Sequence, residues 1–277
     1  MKFIIRNIRL CCSLVLIMIS ISFVTCNKPV LIKKEIPTYP GETLEEKHPP
    51  KDTISANDSS MVNLYLTFDD GPTRGSRNVN ALTISDSINI NVFVIGRFVF
   101  KSDSSRELFE LYHDNPLIEI GNHSFTHADG HYHLYYKNAD EVKNEFLMNQ
   151  DTLQLDQKIA RLPGRNCWTV NSRSRFDLED GRAISDSLAA YGYRIFGWDI
   201  EWRYDSTGRV IESAQEIFER IMRMAEKKNS FMPGNIVLLC HDPMLANPDN
   251  ESELRSLIRE IKMTGHFRFE HLSRYPR

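Results

Sequence analysis

The sequence predicts an α/β protein built on a largely parallel sheet or barrel, and three observations carry that prediction. From Met61 onward, apolar β-branched runs alternate with helix-period patterns, the mark of successive βα units. Carboxylates, histidines and an arginine stand at or just after the ends of five of those apolar runs. In a parallel barrel all strand C-termini share one face, and that face carries the chemistry. Finally, 277 residues at 41% hydrophobic content suffice for one domain of roughly 200 to 250 residues with extra segments at its ends.

In chain order, strands are expected over 62–68, 91–95, 117–120, 159–162, 193–198 and 235–240. Helical patterns fall between and after them, at 78–88, 104–113, 139–155, 181–191, 211–228 and 252–263. The fifth of these helices shows an apolar seam at Ile211, Ile217, Ile221 and Met224. Asp69 and Asp70 follow the first strand, and His123 and His127 follow the third. Arg161 ends the fourth strand, Asp199 follows the fifth and His241 the sixth.

The N-terminus is of another kind. Lys2, Arg6 and Arg9 precede an uncharged apolar stretch, Leu10 to Thr25, in the layout of a secretory signal. Its sixteen residues fall slightly short of the about 20 that span a membrane. Cys26 follows Phe23-Val24-Thr25 directly, which resembles a bacterial lipoprotein signal cut before a Cys that is then lipid-modified. The usual box prefers Leu-Ala-Gly at those three positions. The expected organisation is a signal over 1–25, a flexible tether over 26–60 rich in Pro and charge, and a domain over 61–277. Such a protein is exported and held at the periplasmic or cell surface of a bacterium by acyl chains on Cys26. An uncleaved membrane anchor and plain secretion are the alternatives.

A net charge of -3 gives no electrostatic case for nucleic acid, which calls for a strongly basic face. Of five cysteines, only Cys167 and Cys240 lie in the domain, so there is no disulfide framework. They are either buried free thiols or one bridge.

Adjacent carboxylates at a strand end point in different directions, so Asp69 and Asp70 can divide into a cation ligand and a free base, unless both merely cap a polar turn. His123 and His127, at i and i+4, share one face of a helical turn and can bind one metal. The zinc-protease motif needs Glu after the first His, and Ser124 stands there instead. His131 and His133 nearby read as surface residues. Asp70, His123 and His127 together make a carboxylate and two imidazoles with positions left open, the pattern of a catalytic zinc site. The same set also describes the facial triad of iron oxygenases, although their ligands usually begin His-x-Asp/Glu.

Taken together, these motifs resemble the polysaccharide deacetylase (NodB-homology) family from about Met61 to the C-terminus. Thr67-Phe68-Asp69-Asp70-Gly71-Pro72 matches its first motif, His123-Ser124-Phe125-Thr126-His127 its second, and Leu239-Cys240-His241 the Leu-x-His of its last. Two motifs depart from the pattern. Arg161-Leu162-Pro163-Gly164-Arg165 has its Gly one residue early for Arg-x-Pro-x-Gly, and Asp199-Ile200-Glu201-Trp202 has its acids two apart for Asp-x-x-Asp-Trp.

The resemblance implies a distorted (β/α) barrel of about seven parallel strands, acting as a monomer on an acetylated glycan. It implies that Asp70, His123 and His127 hold a divalent metal, most simply Zn2+. Asp69 would stay unligated as base, and His241 would be the acid toward the leaving group. Arg161 would orient Asp69 and keep it ionised, and Asp199 would pair with His241, with Glu201 competing for that role. The N–H of Gly164 would face the oxyanion, and Leu239, Trp198 and Trp202 would wall the acetyl pocket. The implied activity is removal of N-acetyl groups from an amino-sugar polymer. The alternatives are O-deacetylation of an acetylated polysaccharide and a catalytically silent glycan-binding lipoprotein.

Overall fold

The structure is a computed structural model and describes residues 61–277. The expected signal, Cys26 and the tether lie outside the described residues. Among the described residues no helix is long and apolar enough to cross a membrane.

The chain runs β1 (Val62–Gly71), α1 (Ser76–Asp86), β2 (Ile90–Val94), α2 (Gly96–Val99), α3 (Asp103–His113), β3 (Ile118–Asn122), α4 (Tyr132–Tyr135), α5 (Ala139–Leu153), β4 (Ile159–Ala160), β5 (Trp168–Val170), β6 (Arg173–Arg175), α6 (Asp180–Ala190), β7 (Arg194–Ile195), β8 (Ile200–Glu201), α7 (Ala214–Lys227), β9 (Asn235–His241), α8 (Pro248–Thr264) and β10 (Phe267–Phe269). The central strands lie in the order β7-β4-β3-β2-β1-β9-β8, and every pairing among these seven is parallel. They curl into an open, distorted barrel, as the resemblance implies. The hairpin of β5 and β6 extends it antiparallel beyond β7, and β10 pairs with the start of β1.

Period-2 alternation builds two faces from each strand. Leu64, Leu66 and Phe68 of β1, Ile90, Val92 and Val94 of β2, and Ile236, Leu238 and Cys240 of β9 meet the apolar faces of α1, α3, α7 and α8. The intervening positions Tyr65, Phe93 and Val237 turn the other way and join Trp168, Phe196 and Tyr275 in the barrel interior. A third cluster sets α5 and α6 against Ala160, Leu162 and Ile195. Cys167 and Cys240 are free, buried thiols in different clusters, which excludes the bridge.

Most expected elements are present, with different ends. The fifth expected helix starts at Ala214, because Ser213 and Glu216 form a capping box there, and Ile211 is left 56% exposed rather than in the seam. The fourth and fifth strands shrink to two residues each, and the N–H groups of Arg161 and Phe196, bonded to Asn122 and Ala160, are their last ladder contacts. The strands β5, β6, β8 and β10 were not expected; each has two or three residues and is defined by its partner.

Gly121 on β3 lies directly against the Phe93 ring in the barrel interior. A β-carbon there would lie 2.7 Å from the Phe93 ring, over which the Arg161 guanidinium sits at 4.3 Å. Gly121→Ala should therefore cost about 1–3 kcal/mol in a denaturant titration by displacing that stack, and an unchanged midpoint would contradict the packing described.

Candidate active site

The site begins with a fault in β1. Phe68 pairs with Val92 but Gly71 with Val94, so three steps along β1 match two along β2. Asp70 takes up the extra residue at φ 69, a left-handed conformation that Asp tolerates better than most residues. Strict alternation would send Asp70 to the helix side; the bulge re-aims it so that both carboxylates reach the rim. On the other flank the register is unbroken and puts Asp69 beside His241 at the end of β9.

The turn after Gly71 is held by Asp242, a residue whose part in the site the sequence did not reveal. Its buried carboxylate accepts hydrogen bonds from Thr73, Tyr112 and, at 2.8 Å, Ser76. Burial raises its pKa, and the hydroxyl donors partly offset this. Its partners lie at positions 73, 76 and 112, so no local spacing points to it.

Asp70, His123 and His127 bring one ligand atom each to within 4.8 Å of one another, a group that can hold a metal ion. Nδ1 of His123 is 2.9 Å from the Arg161 carbonyl, which can only accept, so this nitrogen carries the proton and Nε2 is left for the site. The two Nε2 atoms stand 3.5 Å (His123) and 3.1 Å (His127) from Asp70 Oδ1. That oxygen is buried and has no aligned hydrogen-bond donor, so the set fits a divalent cation lying among the three. Burial alone would raise the pKa of Asp70, but the two imidazoles outweigh it and hold the carboxyl below the usual carboxylate range. Burial would lower that of His123, but Asp69 and Asp70 outweigh it and raise it.

The histidines do not share an α-helical turn as expected. His123 ends β3, and the chain reaches His127 through Ser124 at φ 63, with His127 itself at φ 58. The loop is fixed by the His127 N–H donating to Ser124 Oγ (3.0 Å) and by Thr126 bound to Glu145. His131 and His133 are exposed.

Arg161 is fully buried beneath the carboxylates. Its Nη1 donates to Asp69 Oδ1 and to Thr67 Oγ1, each at 2.8 Å; Nη2 donates to the Gly197 carbonyl and Nε to that of Phe196. Burial lowers its pKa, and Asp69 partly restores it. Leu239 is buried on the same face of β9 as His241, whose Nδ1 is buried without a partner. Gly164, at φ 61, is exposed at the rim with Tyr132 against it.

Three expected placements differ. Asp199 does not meet His241: its oxygens accept the N–H groups of Phe231 (2.7 Å) and Val237 (3.0 Å). Val237 is four residues before His241, about 13 Å back along β9. Glu201 instead lies level with Leu239 and acts electrostatically on Arg161, toward the interior. Trp202, the next residue, points the opposite way, packs with Ile217 and Ile221 of α7, and donates from Nε1 to the Glu212 carbonyl, so it does not wall an acetyl pocket. Trp198 is half-buried with Arg161 over its ring at 5.9 Å, below the rim.

Residues 57–165, the segment that bears Asp69, Asp70, His123, His127 and Arg161, match the polysaccharide deacetylase family model. No curated protein matches the sequence. Among solved structures, a CE4 esterase from Streptococcus mutans has 20% identity and a TM-score of 0.56, covering 75% of this chain and 85% of that one. A family 4 carbohydrate esterase from Bacillus subtilis has 22% identity and a TM-score of 0.54, covering 76% and 80%. Another from Streptomyces lividans has 19% and 0.52, covering 76% and 93%. At these identities the likeness establishes the fold.

A protonated imidazole cannot ligate, and the pKa of His123 is raised in the metal-free protein. Zinc affinity should therefore fall as pH drops through the titration of His123, with protons released on binding. Calorimetry in buffers of different ionisation heat measures both; affinity independent of pH would remove His123 from the ligand set.

Proposed function

We propose that the chain is a metal-dependent hydrolase that removes acetyl groups from an N-acetylated amino-sugar polymer. The observation that carries this reading is the division of labour between adjacent carboxylates. Asp70 Oδ1 faces both imidazoles and no donor satisfies it, while Asp69 is tied to Arg161 and approaches His123 alone, its Oδ2 3.6 Å from Nε2. A structural metal site would need no such free carboxylate beside it. The family match and the fold support the same reading.

Two imidazoles and one carboxylate suit Zn2+, which when bound polarises an acetyl carbonyl and lowers the pKa of its water toward roughly 7. Asp69 Oδ2, on the side away from Arg161 Nη1, takes a proton from the attacking water. His241, next to Asp69 in register, gives a proton from Nε2 to the leaving nitrogen. The Gly164 N–H at the rim faces the oxyanion, and Leu239 borders the methyl group. Glu201, level with Leu239 on the interior face, takes the place of Asp199 as the carboxylate proposed for the unpartnered Nδ1 of His241. Asp199 serves the barrel by bonding β9.

Acetate release from an N-acetylglucosamine oligomer with added zinc should be abolished by a chelator and fall about 10²–10⁴-fold in Asp69→Asn or His241→Ala. Faster release from acetylated xylan than from the oligomer would shift the substrate to O-acetyl glycans. Metal binding with no release from any acetylated glycan would overturn the reading. Within the same series, Glu201→Gln should lower kcat with little change in Tm, whereas Asp199→Asn should lower Tm through the two N–H groups it satisfies. The reverse pattern would return Asp199 to the active site.

We also infer that the chain is exported and anchored through Cys26, on the strength of the sequence layout alone. Mass spectrometry of the mature N-terminus should find an acylated Cys26, and Cys26→Ser should release the protein from membranes. An intact residue 1 in the mature protein would overturn lipidation at Cys26 and point to an uncleaved membrane anchor instead.

A further inference from the structure

Two tyrosines flank the site and have no part in the chemistry just described. Tyr132, on α4, meets His127 edge-on with ring centroids 5.8 Å apart and an interplanar angle of 82°. Its ring also covers Gly164, lying 3.1 Å from where a β-carbon would stand. Tyr204, just after β8, meets His241 at 5.4 Å and 62°. A backbone bridge to Val210 and the hydrogen bonds of Asp205 to Thr207 and Arg209 hold its loop. His127 follows β3 and His241 ends β9, so the two rings approach from opposite sides of β1. Both are half-buried, and neither hydroxyl has a hydrogen-bond partner among the described residues. Both hydroxyls are within electrostatic reach of Asp70, and Tyr132 is within reach of Tyr204.

We propose that Tyr132 and Tyr204 form a clamp that grips the sugar ring bearing the acetyl group and thereby determines which glycan is accepted; this rests on the deacetylase reading above. A pyranose offers an apolar C–H face and an edge of hydroxyls. A phenol offers the complementary pair, a flat apolar ring and one hydrogen-bonding tip. Two phenols on opposite walls, each with an unused hydroxyl, match a single ring held between them. The walls that Trp198 and Trp202 do not provide are provided by these two residues.

The test compares a sugar substrate with a sugar-free one. Tyr132→Ala and Tyr204→Ala in the full chain should each reduce kcat/KM on an N-acetylglucosamine oligomer about tenfold more than on nitrophenyl acetate, mainly through KM. Tyr132→Phe and Tyr204→Phe keep the ring and should lose less, and they serve if an alanine variant fails to fold. In an Asp69→Asn background, oligomer binding measured by calorimetry should weaken about tenfold with either alanine change. Equal losses on the two substrates, or unchanged oligomer binding, would overturn the clamp. Wild type that releases no acetate from any glycan overturns the deacetylase reading instead, and the binding measurement still decides the clamp; absence of oligomer binding by the Asp69→Asn protein counts against it.

Discussion

A single guanidinium, buried in the middle of the barrel, sets the geometry of everything above it. Arg161 reaches β1 through Thr67 and Asp69 and reaches the chain after β7 through two carbonyls, while its own carbonyl fixes the His123 ring. One residue thus positions the free carboxylate and one metal-ligating imidazole at once. Its stack on Phe93 depends in turn on the bare backbone of Gly121. Leaving one partner of such a buried pair uncompensated typically costs about 3–5 kcal/mol. Just beyond β7, the carbonyls of Phe196 and Gly197 are turned inward and accept from the guanidinium.

The second constraint is the two-residue period of the strands. On β9 it puts Leu239 and His241 inside and Leu238 and Cys240 against the helices. On β1 the same rule would separate Asp69 from Asp70, and only the bulge at Asp70 brings them to one rim. The contrast between Glu201 and Trp202 is the rule again: neighbours on one strand go to opposite faces, so an acid and an indole of one motif do different work.

Long periodic segments were legible in the sequence because their burial repeats: α3, α5, α6 and α8 lie within a few residues of expectation, and β1, β2 and β9 nearly so. The residues at the strand ends were legible as a group, since Asp69, Asp70, His123, His127, Arg161 and His241 do converge. Partnership was not legible. Asp199 looked suited to His241 by order along the chain, yet strand register places it beside Val237 instead. Trp202 looked like a pocket wall by residue type, yet parity turns it to α7. Asp242, Tyr132 and Tyr204 gave no signal, because their partners are distant in sequence and their value lies in three-dimensional proximity. The left-handed path from Ser124 to His127 was hidden for a related reason: spacing of four suits a helix and a tight loop equally well.

The hairpin beyond β7 has a consequence outside the barrel. Its last strand, Arg173-Ser174-Arg175, is exposed and forms one border of the sheet. An open border presents unpaired amides that invite another strand, and short length and cationic side chains are common defences. Here the defence is also structural, since Arg175 lies over the rings of Trp168 and Phe231 and shields the aromatic floor of the barrel. The same side chain therefore puts a charge on an open sheet border while covering the aromatic rings at that end of the barrel.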